Sequence, residues 1–222
     1  MNAEEVLVFL KTHPEFFTEH GEVLADITIP HLHGSGAVSL AERQLSVLRD
    51  KVRALENKLG ELIGFGEEND AIAEKTHRMT VALLAAVNLA GAVRALYSHL
   101  GGAFAVPHVA VRLWGVGAEA HAGAAEFVAV EDTLKAFAGS MMRPYCGASA
   151  GQEAVRWFGE RGNLIKSMAQ IPLREQGQDG GACFGLLVLA SEEAQRFYPD
   201  MGVLYLNRIG DIASAALLRV AG

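Results

Sequence analysis

Cys146 stands in the run Arg143-Pro144-Tyr145-Cys146-Gly147, a thiol with an arginine close by. A neighbouring cation lowers a thiol pKa and favours the reactive thiolate. Redox or nucleophilic catalysis also needs an oriented base to take the proton, and the sequence marks no histidine for that task. A small buried cysteine at a turn is the plainer reading. Cys183 falls in the apolar run Cys183–Ala190 and reads as inert core. His31 and His33 would point the same way in an extended chain, as two ligands of a metal site would. A structural zinc takes four ligands, and no third or fourth lies close in the sequence. No metal site is assigned, and His13, beside Pro14, reads as structural.

Three arginines remain to be placed: Arg112, Arg143 and Arg156. Two guanidinium groups in one cavity beside Trp114 or Tyr145 would make a site for an anion or an aromatic ligand. Arginines on the surface, or paired with carboxylates, would not. With Cys146 and Met168 these residues form the candidate ligand-binding set. Gly115-Val116-Gly117 follows a strand but matches neither phosphate-cradling pattern, so a hairpin turn is expected, and Gly34-Ser35-Gly36 reads as a loop. Glu67-Glu68-Asn69-Asp70 lacks the alternating ligands of a calcium loop. No cofactor is identified.

Composition narrows the function classes. Half of the 222 residues are apolar and a fifth charged, as in a globular protein with one good core and an appendage. A net charge of −7 argues against sequence-independent binding to nucleic acid. Two cysteines make no disulfide framework. The start, Met-Asn-Ala-Glu-Glu, is acidic where a secretion signal is basic. The longest apolar run, Val81–Val93, is interrupted by Asn88 and is too short to span a bilayer. A cytoplasmic protein with no membrane segment is expected.

The elements that must position these residues follow from periodicity. Val6, Phe9 and Leu10 share a helical face that Pro14 stops, and Glu15–His20 adds a turn or two in which Phe16 and Phe17 need cover. Ile29-Pro30-His31 must be extended. Ser39 and Glu42 make a capping box at the start of a long helix. Leu45, Leu48, Val52, Leu55, Leu59 and Leu62 then step by three and four residues, the seam of a coiled coil. In a parallel dimer Lys51 at g faces Glu56 at e of the other copy. A single amphipathic helix packed on its own domain would show the same stripe. Gly60, Gly64 and Gly66 predict a bend or hinge, since each costs about 1 kcal/mol in a helix. Periodicity resumes at Ile72 and runs to about Leu100, where Gly101-Gly102 ends it.

From Val106 the period becomes two. Strands are expected at 106–114, Glu126–Val130, Glu153–Phe158, Ser167–Leu173 and Cys183–Ala190, the last central and apolar. Pro172 must sit at an edge or bulge. Asp132–Met142 and Met201–Val220 read as helices, and Gln176–Gly181 as a polar hairpin loop. The fold class is α+β: a short helical N-terminal segment at 1–38, a coiled-coil dimerisation helix at 39–75, and an α+β domain at 76–222. The first and last helices should cover one sheet face. The other, holding Arg112 and Trp114, would open toward a pocket.

Several runs taken together resemble a bacterial family, domain-of-unknown-function family 484. They are His13-Pro14-Glu15-Phe16-Phe17, Ile29-Pro30-His31, Ser39-Leu40 with Gln44-Leu45 and Leu48-Arg49, and Glu68-Asn69-Asp70. The later part is similar to a GAF-like domain at Arg112-Leu113-Trp114, Arg143–Gly147, Ser167–Leu173, Gly185–Ser191 and Arg196–Gly202. The resemblance implies an antiparallel sheet flanked by helices in a ligand-sensing, dimerising module. It supplies no catalytic residues, and the cyclic-nucleotide signature of some GAF domains is absent. Three readings follow. The first is a non-enzymatic homodimeric sensor that binds a small molecule and signals to an unidentified partner protein. The second is a ligand-free structural adaptor. The third is a thiol-dependent enzyme centred on Cys146.

Overall fold

Asn2 starts the first helix through a capping box: its side chain accepts from the Glu5 amide at 2.8 Å, and the Glu5 carboxylate accepts from the Asn2 amide at 3.0 Å. The computed structural model describes residues 2–21, 28–30, 37–117, 123–175 and 181–221, with backbone alone for 28–30 and 37–42. The capped helix is α1 (Ala3–Thr12), which buries none of its residues, and a single turn, α2 (Phe16–Glu19), follows. The aromatic rings here cover one another. Phe9 stacks on His13 at 4.6 Å, and Phe16 meets Phe17 edge-on at 5.5 Å. Two short strands, β1 (Thr28–Pro30) and β2 (Ala37–Ser39), form an antiparallel ribbon that periodicity does not foresee. Ile29 is extended, as the residue before a proline must be. His31, His33 and Gly34–Gly36 lie outside the described residues, as do most of the Gln176–Gly181 loop and the side chains of the Ser39–Glu42 capping box.

The heptad stretch builds one helix, α3 (Leu40–Ala85), of 46 residues. It runs unbroken through Gly60, Gly64 and Gly66, which corrects the expected bend or hinge. The strong helix formers around the glycines carry their cost, and a Cβ at any of the three would meet nothing of its own chain. The chain divides into two compact units, Met1–Glu67 and Glu68–Gly222.

In the second unit α3 stops at Ala85, and the helix expected to reach Leu100 is instead two helices. Asn88 is extended and caps α4 (Leu89–Ser98), its side chain accepting from the Gly91 amide at 2.8 Å. A polar residue inside an apolar run is therefore a cap and not an interruption. One π turn, His99–Ala103, leads to β3 (His108–Leu113). A 3-10 turn (Ala125–Phe127), α5 (Asp132–Ser140), β4 (Tyr145–Ala148), a 3-10 run (Glu153–Leu164), β5 (Ser167–Arg174), β6 (Cys183–Ser191) and α6 (Leu204–Ala221) complete the unit. The strand expected at Glu153–Phe158 is thus part of a 3-10 run, and the one expected at Glu126–Val130 is the end of a 3-10 turn followed by irregular chain. Alternation over so few residues does not separate a strand from a tight helical turn. Nor do Gly115–Gly117 turn a hairpin, since β3 pairs with β6 and the next described element is the 3-10 turn.

The sheet is antiparallel throughout, in the order β3-β6-β5-β4. Pairing with β4 reaches only to Gln170, so Pro172 lies on the uncovered stretch of β5, next to a register shift at Leu173/Arg174. On the first face Val111, Ile171, Leu187 and Leu189 pack with Met79 and Leu83 of α3, Leu96 of α4 and Leu217 of α6. A Cβ at Gly210 would come 2.6 Å from Ile171 Cγ2, so glycine there lets α6 seat closely on β5. Arg219 of α6 donates to the carbonyls of Leu83 at 3.1 Å and Ala86 at 2.6 Å, tying α6 to the C-terminal end of α3. Tyr205 Oη donates to the Asn69 carbonyl at 3.1 Å.

Candidate functional site

The register fixes which candidates can meet. Arg112 pairs with Leu186 and Leu186 with Pro172, while Ala110, Val188, Gln170 and Tyr145 form the next row. Strand alternation therefore puts Arg112, Tyr145, Met168 and Gln170 on the second face of the sheet, with Trp114 just beyond the end of β3. A second core cluster covers that face. Leu134 and Ala138 of α5, together with Val155, Trp157 and Phe158 of the 3-10 run, pack over Met168, Leu186, Val188 and Ala190.

Within this layer most polar groups are spent locally. Arg112 donates from Nη1 to the Val111 carbonyl at 3.0 Å and lies over the Trp157 ring at 5.1 Å, but its Nε is buried with no hydrogen-bond partner. Trp114 Nε1 donates to the Cys183 carbonyl at 2.8 Å. Tyr145 Oη donates to the Ala148 carbonyl at 3.2 Å, and its ring meets Phe137 edge-on. Met168 is fully buried and its sulfur accepts from Gln170 Nε2 at 3.4 Å.

Gln170 is a residue that pattern reading misses. It is wholly buried, donates from Nε2 to Gln152 Oε1 at 2.8 Å, and leaves its own Oε1 without a partner. Its signal in the sequence is a carboxamide between Ala169 and Ile171 in an apolar strand, where a polar group must be satisfied or be costly. His108 is also missed: it is buried, 3.3 Å from Glu192, with Phe158 edge-on to its ring.

The other candidates lie elsewhere. Cys146 belongs to the first face, and burial pushes its thiol up to about 11. Burial also raises the Cys183 thiol, which donates to the Gly185 carbonyl at 3.3 Å. Neither environment favours a thiolate at neutral pH. Arg143 is exposed at a cleft of about 470 Å³ shared with Tyr145, Cys146 and Asp200. Arg156 is exposed, 3.6 Å from Glu131, at a cleft of about 560 Å³ that Gln152 and Glu153 also line. Arg143 and Arg156 thus border different clefts, and Arg112 lines neither of them. Among the described residues no group of histidine, cysteine and carboxylate side chains is placed to hold a metal.

In the first unit Leu45, Leu48, Val52, Leu55, Leu59 and Leu62 are each between 51% and 69% exposed. Ile63 and Phe65 extend this apolar surface.

An α+β domain whose second sheet face is closed by aromatic and aliphatic side chains, joined to a helical unit whose heptad seam is exposed among the described residues, is the class of protein these features define. The chain belongs to the family described as "Protein of unknown function, DUF484", whose model matches residues 1–220. No curated protein matches it. Among the described residues no helix is long and apolar enough to cross a membrane.

Proposed function

We propose that this is a non-enzymatic, cytoplasmic regulatory protein that works as a homodimer, associating through α3 and relaying a change in its GAF-like second unit to a partner protein. The seam carries the reading. Six aliphatic side chains at heptad spacing stand exposed on an unbroken helix. Each gains about 1.5–3 kcal/mol on full burial, and a second copy offers the matching seam. The raised thiols of Cys146 and Cys183 weigh against thiol catalysis. Sedimentation of the triple variant Leu48→Asp, Val52→Asp and Leu55→Asp tests the dimer. A monomer is expected at concentrations where the parent is dimeric, and a persistent dimer would sink the seam.

Two observations divide the question of a ligand. Arg112 Nε and Gln170 Oε1 are a donor and an acceptor buried without partners on the second face, and they favour a small polar ligand there. The fully buried Met168, Leu186, Val188 and Ala190 fill the same face and favour a ligand-free adaptor. Native mass spectrometry of gently purified protein separates the two. Retained mass that disappears in Gln170→Leu supports sensing, and a dimer without added mass supports the adaptor. A signal further requires that the ligand bind two states unequally.

A further inference from the structure

We infer that the two α3 helices of the dimer run parallel and in register, an orientation that rests on the dimer proposed above. With Leu45 at a and Leu48 at d, the g positions are Gln44, Lys51, Lys58 and Phe65, and the e positions are Arg49, Glu56 and Ile63. In a parallel pair each g residue faces the e residue five positions on in the other copy. Lys51 then faces the partner's Glu56, and symmetry supplies this attraction twice. Gln44 faces the partner's Arg49, and the methylene stem of Lys58 lies along the partner's Ile63; neither contact repels. In an antiparallel pair g faces g and e faces e. Full overlap of Leu45–Leu62 then sets Lys51 against the partner's Lys58 twice and Arg49 against the partner's Glu56 twice, so repulsion offsets attraction.

The chain's own bonds leave the parallel contact free to form. Lys51 and Glu56 are exposed, and the ion pairs of this stretch join Arg53 to Asp50 and Lys58 to Glu61 among the described residues. The seam also has a defined end, because the next a and d positions after Leu62 are Gly66 and Asn69.

The substitutions Leu48→Cys and Leu59→Cys, each made in a full chain that also carries Cys146→Ala and Cys183→Ala, mixed and oxidised with one of the two mass-tagged, test the orientation. In the parallel dimer each d or a position lies beside its own counterpart within disulfide reach, so each variant cross-links to itself and not to the other. In the antiparallel dimer residue 48 lies beside residue 59, with its own counterpart roughly 16 Å away along the helix, so the mixed product dominates. The chain with only Cys146→Ala and Cys183→Ala serves as the background control. A dominant mixed product, or a dimer that cross-links at neither position, overturns the parallel register. A parent chain that sediments as a monomer overturns the dimer reading itself, which keeps the two failures distinct. Charge reversal gives a second readout. Lys51→Glu is expected to weaken the dimer on the order of tenfold, with Glu56→Lys in the same chain restoring it. Antiparallel helices predict the opposite sign for Lys51→Glu alone, a tighter dimer.

Discussion

Leu55 and Leu83 occupy the same heptad position of one helix, four heptads apart. Leu55 is 69% exposed, whereas Leu83 is wholly buried in the core of the second unit among Met79, Leu96 and Leu217. Identical residues at identical spacing thus have opposite surroundings. Periodicity states that a helix face is to be covered and is silent on what covers it. Around Leu83 the cover is the protein's own α4 and α6. Around Leu55 the same pattern has no cover among the described residues of its own chain, which is why a second copy is the reading proposed for it.

Truncating each leucine turns that contrast into numbers. Leu83→Ala leaves a cavity in a close-packed core, and about 2–5 kcal/mol of unfolding free energy is expected to be lost. The loss should be independent of protein concentration in a denaturant titration. Leu55→Ala is expected to change the unfolding of the second unit by no more than roughly 0.5 kcal/mol, while the dimer midpoint shifts to higher concentration. Equal, concentration-independent losses at the two sites would show that Leu55 is covered by its own chain.

Much of the second unit is legible in the sequence. The apolar run Cys183–Ala190 is a central strand, the alternation around Arg112 separates two chemically different faces, and Met201–Val220 is close to α6. The misreadings have common causes. Glu126–Val130 and Glu153–Phe158 are short, and a few alternating residues fit a 3-10 turn as well as a strand. Asn88 divides an apolar run by capping a new helix, which becomes visible only when its preference for caps is weighed above the periodicity around it. The candidate site is less legible because it depends on register. Arg112 and Met168 are far apart in sequence and share a face only through the β3-β6-β5 pairing. Gln170 carries a local sign, a carboxamide in an apolar strand, but its orphaned oxygen is a property of the packed layer.

The end of α3 offers a finer test of the same comparison, since it is held by named bonds where the seam is not. Arg219→Met keeps most of the packing and removes two charged hydrogen bonds to the Leu83 and Ala86 carbonyls. A loss of about 1.5–3 kcal/mol is expected, together with faster amide exchange in the last turn of α3. Asn88→Ala removes the cap of α4, and about 1 kcal/mol is expected to go with it. Unchanged exchange at the α3 terminus in Arg219→Met would mean that the guanidinium does not hold it.

The last expected effect is confined to alkaline pH. Burial raises the Cys146 thiol from 9.0 to about 11 in the folded chain, and it raises the Tyr97 hydroxyl above its ordinary value as well. Because the folded value is the higher one, the unfolded state loses its proton first as pH rises. Stability from Cys146 is therefore complete below about pH 9 and is lost between there and about pH 11. Urea midpoints at a series of pH values should fall across this window, and Cys146→Ala should fall less steeply, keeping the part due to Tyr97. In the native protein at pH 8 the thiolate is scarce and Cys146 should react with a thiol reagent far more slowly than after unfolding. Native-state reactivity as fast as that of the unfolded chain would place the thiol in an open, charge-stabilised setting and revive the enzyme reading. Slow reaction with the alkaline fall in stability would keep Cys146 where the sheet puts it, in the core beside its cross-strand partner Ala169.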